Sequence, residues 1–289
     1  MTSAGSTSIL AKESLQRRHL MMGGAAMAAG FARPARAQTL PVRIGVLSDE
    51  SSYGASAGGM GAVLAARMAV ADFGQPLLGQ RVEVVHADSQ SKPDIAAATV
   101  RAWFDQGVDA IVDLPATPVA AVATQIALEK NRLAIITAAA SVEFTTKWCK
   151  PTTIMWQDDT HALAAGAALP AVRSGGKTWY FVTVDSAFGL SLEAQITKIV
   201  EDGGGHVLGA ARYPQNNSDF SAHLLQAHTS GAQVIGFCCV AGDLVNAIKQ
   251  AREFGIMAKH QITAFLIYIT DIHALGPQTV QGLTFASSF

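Results

Sequence analysis

The residues in this chain best placed to do chemistry are hydroxyls at the starts of helical runs, not cations or nucleophile pairs. Thr117 stands in PATPVA just ahead of an apolar helical run, Ser141 follows an apolar run at 133–138, and Ser51, Ser52 and Ser56 crowd a glycine-rich stretch at 48–58. A hydroxyl at a helix start sits among backbone N–H groups that lack intrahelical partners and carry a partial positive charge. Several such starts facing one hollow would hold a carboxylate without any fixed cation. Each hydroxyl also has a plainer reading, as the cap of its own helix. Tyr53, Trp156, Phe188 and Tyr268 lie near the same segments, either to close over an apolar ligand body or to serve as edge aromatics of a core.

Other chemistries lack their patterns. His86, His161, His206, His223, His228, His260 and His273 show no H-E-x-x-H spacing, and no G-x-S-x-G elbow occurs. His223 and His228 are off the i to i+4 register and read as helix-surface residues. Cys149, Cys238 and Cys239 are too few and too irregular for a zinc site or a disulfide framework, leaving buried thiols or a single bridge from Cys149. No metal and no cofactor is expected. With 21 basic residues against 22 acidic ones and no basic block, nucleic acid is not expected as a partner. The strongest rival is an exported dinucleotide-dependent oxidoreductase, since a glycine-rich loop follows the first strand and Asp88 ends the second. Against it, Gly54, Gly58, Gly59 and Gly61 do not fit G-x-G-x-x-G.

The elements that must position these residues follow a repeating grammar. Strands at 42–47, 81–88, 109–114 and 133–138 alternate with helices at 59–73, 94–104 and 119–130. After an irregular stretch around 149–159 the alternation resumes, with helices at 161–172, 190–202, 219–228 and 242–254 and strands at 178–184, 206–213, 233–239 and 261–267. Such alternation gives parallel sheets with crossover helices, and 289 residues exceed one ordinary core. The expected fold is α/β, two doubly wound parallel-sheet lobes joined by a hinge, the first over 38–157 and the second over 158–283, with 284–289 beginning a return crossover. Ligands of such sheets bind beyond the carboxyl ends of the strands, here the loops at 48–58, 115–118, 138–141, 185–189, 240–243 and 268–271.

Residues 1–37 read as an export signal. Arg17 and Arg18 precede a weakly apolar run at 19–31, and Ala35 and Ala37 supply small residues for cleavage after Ala37. The run is about half of the ~20 residues that span a bilayer, so stable membrane insertion is not expected. SLQRRHLMM resembles a twin-arginine signal; the other reading is a general secretory signal with a chance arginine pair. Both lead to the periplasm.

The strings VRIGVLSDESSYGASAGGMGAVLAARMAVADF, RVEVVHADSQSKPDIAAATVRAWFDQGVDAIVDLPATPVA, VDSAFGLSLEA, NNSDFSAHLLQAHTSGAQVIG and AIKQAREFG resemble, in order and spacing, the branched-chain amino-acid type of ABC-transporter substrate-binding proteins. The resemblance implies a type I periplasmic binding protein, not an enzyme, which shuts around a small organic carboxylate or amino acid and hands it to a membrane permease. A monomer is expected. A receptor-linked sensor role for the same lobes stays open. By position, the resemblance assigns ligand-carboxylate donors to Ala116, Thr117, Ala139 and Ser141, aromatics to Phe188 and Tyr53, and second-lobe contacts to Ala241, Gly242 and Ile267. Ser52 and Asp185 complete the candidate set.

Two departures matter. Amino-acid binders of this type carry an acid near the position of Ile267 to pair an ammonium, whereas AFLIYITD has none before Asp271. An unpaired buried ammonium is costly, which points to an apolar or aromatic acid, with Asp185 or Asp243 as the remaining sources of charge. Members also usually continue well past the strand resembling GLTFASSF, so a truncated first lobe with exposed apolar surface is expected.

Overall fold

The computed structural model describes residues 40–287, so the expected export segment and its cleavage point lie outside the described residues. In the first lobe, β1 (Val42–Ser48), β2 (Val82–Asp88), β3 (Ala110–Asp113), β4 (Leu133–Ile136) and β5 (Thr153–Met155) form a parallel sheet in the order β2-β1-β3-β4-β5. Its helices are α1 (Met60–Phe73), α2 (Pro93–Asp105) and α3 (Thr117–Glu129). In the second, β6 (Thr178–Val184), β7 (His206–Tyr213), β8 (Val234–Cys238), β9 (Gln261–Ala264) and β10 (Thr284–Phe285) form a parallel sheet in the order β10-β9-β8-β6-β7. Its helices are α4 (Thr160–Arg173), α5 (Ala187–Asp202), α6 (Ser221–Thr229), α7 (Ala241–Glu253) and α8 (Ile269–Leu275). The two sheets share one strand order, reversing direction beside β1 and again beside β6.

Three expectations are corrected. The stretch around 149–159 contains β5, too short to stand out from its polar neighbours. Residues 265–267 leave the sheet after Ala264 and lead into the unexpected α8. Residues 284–285 do not begin a crossover: Thr284 pairs with Thr263 and Phe285 with Ala264, which makes them the fifth strand of the second sheet.

The second sheet is covered on both faces, which is why β8 reads as an unbroken apolar run, VIGFC, with every residue buried. Ile235 and Phe237 pack with Leu244 and Ile248 of α7, while Trp179, Phe181 and Phe265 pack on the other face with Leu163 of α4 and Leu192 of α5. In the first lobe Leu47, Ile111 and Ile136 are sealed by α2 and α3. Among the described residues the opposite face meets only α1, and it borders an open hollow of about 790 Å³ lined by Ile44, Val112, Ile135 and Ile154 with Ala65 and Phe73 of α1. Leu64, Met68 and Phe73 of α1 remain 59%, 56% and 57% exposed, so the expected apolar surface on this lobe is present. All three thiols are free, with Cys238 and Cys239 buried and Cys149 exposed. The two histidines of α6 are not plain surface residues. His223 stacks edge-on against Tyr213, and the rings of His228 and His260 are joined by a 2.8 Å hydrogen bond.

Met68→Lys should shift stability by no more than about 0.5 kcal/mol and reduce binding of an apolar fluorescent dye, whereas Phe237→Ala in the second core should cost about 3–5 kcal/mol in urea unfolding. A Met68→Lys protein as destabilised as Phe237→Ala would mean that α1 is buried in solution.

Candidate functional site

All six strand-end segments contribute to one cleft of about 600 Å³. The first-lobe wall comes from Tyr53, Ala116, Thr117 and Ala138, and the second-lobe wall from Ser186, Phe188, Ala241 and Tyr268. The four aromatics singled out in the sequence, Tyr53, Trp156, Phe188 and Tyr268, all line it.

The cleft gains its polarity from helix starts. The N-cap residues of α3, α5 and α7, namely Ala116, Ser186 and Val240, all line it. Ala116 and Val240 have no side chain able to cap, so the leading N–H groups of α3 and α7 keep their donor capacity. In α3 the first intrahelical bond runs from Ala120 N–H to the Ala116 carbonyl at 2.8 Å, and Pro118 has no N–H, which leaves those of Thr117 and Val119 ahead of it. Thr117 is the first residue of α3 rather than its cap. Its hydroxyl is buried in the cleft wall without a hydrogen-bond partner.

Local sequence fixes these turns. Asp113 (φ 82°), Leu114 (φ 62°) and Ala241 (φ 55°) adopt left-handed conformations that non-glycine residues seldom take, at the turns into α3 and α7. Gly189 lets α5 start close against its strand: a Cβ there would lie 2.2 Å from the Val184 carbonyl oxygen. The loop carrying Tyr53 is organised by buried Asp49, which accepts from the N–H groups of Ser52 and Gly54 at 2.9 and 3.0 Å and from the Ser91 hydroxyl at 2.7 Å.

Of the expected site residues, Tyr53, Ala116, Thr117, Phe188 and Ala241 line the cleft. The others do not. The Ser52 hydroxyl is taken by Asp49, Ala139 is packed into the first core, and Ile267 is packed into the second. Ser141 donates to Glu143, which also accepts from Ser191 at 3.0 Å, placing Ser141 in a hydrogen-bonded chain between the lobes. Asp185 and Gly242 are exposed beside the cleft. The Asp243 carboxylate accepts from the N–H groups of Asn216 and Asn217, and Asp271 accepts from that of Tyr268.

Asp113, read in the sequence as an ordinary strand residue, is the one formally charged side chain among the described lining residues. It is 5% exposed, and its Oδ2 has no hydrogen-bond partner. Burial pushes its carboxyl up to about 6, against the nearby Ser48 hydroxyl, with the negative charge of Asp49 adding to the rise. Burial likewise raises Tyr268, to about 12, helped by Asp271 and Asp113. The signal available beforehand was an acid at the carboxyl end of an otherwise apolar run, DAIVDLP.

A family model described as periplasmic binding protein matches residues 41–289. The chain belongs to the periplasmic binding protein family. A periplasmic binding protein of Burkholderia mallei is 45% identical with a TM-score of 0.82, covering 84% of this chain and 65% of that one. A branched-chain amino acid ABC transporter periplasmic ligand-binding protein of Burkholderia xenovorans LB400 is 36% identical with a TM-score of 0.71 and the same coverage, 84% and 65%. The chain thus spans 65% of the length of either Burkholderia protein. An ABC-transporter solute-binding protein of Rhodopseudomonas palustris in complex with benzoate shares the fold at 18% identity and a TM-score of 0.71, with 78% of this chain and 62% of that one covered. No curated protein matches the chain. This chain has the family's type I fold, two parallel-sheet lobes flanked by helices.

A carboxyl held up to about 6 favours folding fully below pH 4, and that contribution is lost as pH rises through 6. Asp113→Asn lacks this slope and suits a left-handed position. Its stability relative to the parent should therefore grow between pH 4 and pH 7, by at most about 3 kcal/mol. A difference that stays flat across that range in paired urea titrations would contradict the assignment.

Proposed function

We propose that the chain is the solute-binding component of an ABC uptake system, held in the periplasm, and that it captures a small organic carboxylate with an apolar or aromatic body. The observation that carries the reading is the convergence of the α3, α5 and α7 starts, with the unpartnered Thr117 hydroxyl, on a cleft that no lysine, arginine or histidine lines among the described residues. Helix starts stabilise an anion through N–H donors and partial positive charge, and they do so best where water is excluded. Tyr53, Phe188, Trp156 and Tyr268 supply the apolar surround. The Rhodopseudomonas palustris relative in complex with benzoate is in keeping with such a ligand.

In this reading the first lobe takes the carboxylate at Thr117 and the N–H groups opening α3. The second lobe then closes so that Phe188 covers the apolar part, a population shift no larger than the ligand's preference for the closed form. The closed form is what a membrane permease would recognise. No described helix is long and apolar enough to cross a membrane. Export would rest on the arginine pair of residues 17–18.

The oxidoreductase alternative loses ground at Asp88. Its carboxylate accepts from the N–H groups of Glu50 and Gln90 at 2.9 and 2.8 Å and from the Ser51 hydroxyl at 2.5 Å, so it tethers the loop that a ribose would have to approach.

A thermal-shift screen should find carboxylates that raise the melting point while their primary amides do not. Thr117→Val should leave the ligand-free protein equally stable or slightly more so, since it removes a buried unpaired hydroxyl, yet weaken carboxylate binding about 10- to 100-fold. Equal response to acids and amides, or unchanged affinity in Thr117→Val, would place the anion elsewhere. Replacing Arg17 and Arg18 with lysine should retain the precursor in the cytoplasm; continued export would assign the segment to the general secretory route.

A further inference from the structure

A site that holds an anion by helix starts should not also present an uncompensated acid, yet the single formal charge lining this cleft among the described residues is negative. Asp113 stands at the carboxyl end of β3 on the same connection that delivers Thr117. It is 5% exposed with Oδ2 unpartnered, while Thr117, 3% exposed, keeps its own hydroxyl unpartnered. The titratable groups acting on Asp113 are Asp49 from the loop after β1 and Tyr268 from the start of α8, with Tyr53 acting on Tyr268 in turn. No cation lies among them to neutralise the acid.

Resting on the carboxylate reading above, we propose that the ligand is an organic acid carrying a hydrogen-bond donor, a hydroxyl or an ammonium, and that Asp113 accepts from it through the unpartnered Oδ2 and so selects donor-bearing acids over their plain analogues. Either donor satisfies the stranded oxygen and separates the two carboxylates. The aromatic wall takes the remainder of the ligand.

The test is calorimetric titration of the full chain, its Asp113→Asn variant and its Thr117→Val variant with four probes of one scaffold: 3-phenylpropanoate, its 2-hydroxy and 2-amino analogues, and 3-(4-hydroxyphenyl)propanoate. The expected result is that at least one donor-bearing probe binds about tenfold or more tightly than 3-phenylpropanoate. That advantage should fall below about threefold in Asp113→Asn, whose affinity for 3-phenylpropanoate is not reduced, while Thr117→Val weakens every probe. Which probe gains tells hydroxyl from ammonium. Three results overturn the inference while leaving the carboxylate reading in place. All four probes bind alike and all depend on Thr117; or donor selectivity survives Asp113→Asn, which assigns Asp113 to the adjoining open face of the sheet; or affinity for every acid falls about tenfold between pH 5 and pH 7 in the parent alone, which means that Asp113 binds as a protonated donor. If none of the probes binds and a wider acid panel also fails, the carboxylate reading itself falls.

Discussion

In a parallel sheet every strand delivers the chain at its carboxyl end to the start of a returning helix, so unpaired N–H groups accumulate along that edge. This chain repeats the arrangement with one strand order in two lobes and turns both carboxyl edges toward the same cleft. The N–H donors at the cleft therefore come from backbone, at the α3, α5 and α7 starts. Aromatic and small side chains can then line the rest of the wall without a buried cation, whose desolvation would have to be offset by further polar groups.

Holding those helix starts at the edge requires backbone that would be unfavourable elsewhere. Left-handed Asp113, Leu114 and Ala241 turn two strands into two helices within a few residues, and Gly189 admits a third helix against a carbonyl oxygen. Buried Asp49 organises the glycine-rich loop from within, leaving Tyr53 at the cleft. A polar contact between lobes runs from Ser141 through Glu143 to Ser191, and beside it the Val142 N–H donates to the Thr160 hydroxyl at 3.1 Å. Tyr53 of the first lobe also meets Gln215 of the second across the cleft itself.

The sheets were legible because apolar strands alternating with amphipathic helices leave few other solutions, and the strand-end loops followed from that alternation. Individual side chains were not, because position in a loop does not say which neighbour a polar group will find. Ser52 and Ser141 have the hydroxyls a carboxylate needs, yet carboxylates of this chain, Asp49 and Glu143, lie closer. Ala139 and Ile267 sit at strand ends but face inward into cores. Thr117 was read as the residue ahead of a helix over 119–130; it opens that helix itself and lines the cleft. Asp113 was passed over because it was counted as part of a strand, although an acid ending a buried apolar run has to be satisfied by something.

In the proposed function a ligand carboxylate is held by backbone N–H groups and Thr117 at the start of α3. The most direct measurement is a crystal structure of the complex with the tightest acid found by screening. A carboxylate oxygen is expected within about 3 Å of the Thr117 hydroxyl or the N–H groups opening α3, with no side-chain cation in contact with it. A carboxylate found paired with a lysine or arginine, or turned out of the cleft toward solvent, would contradict it.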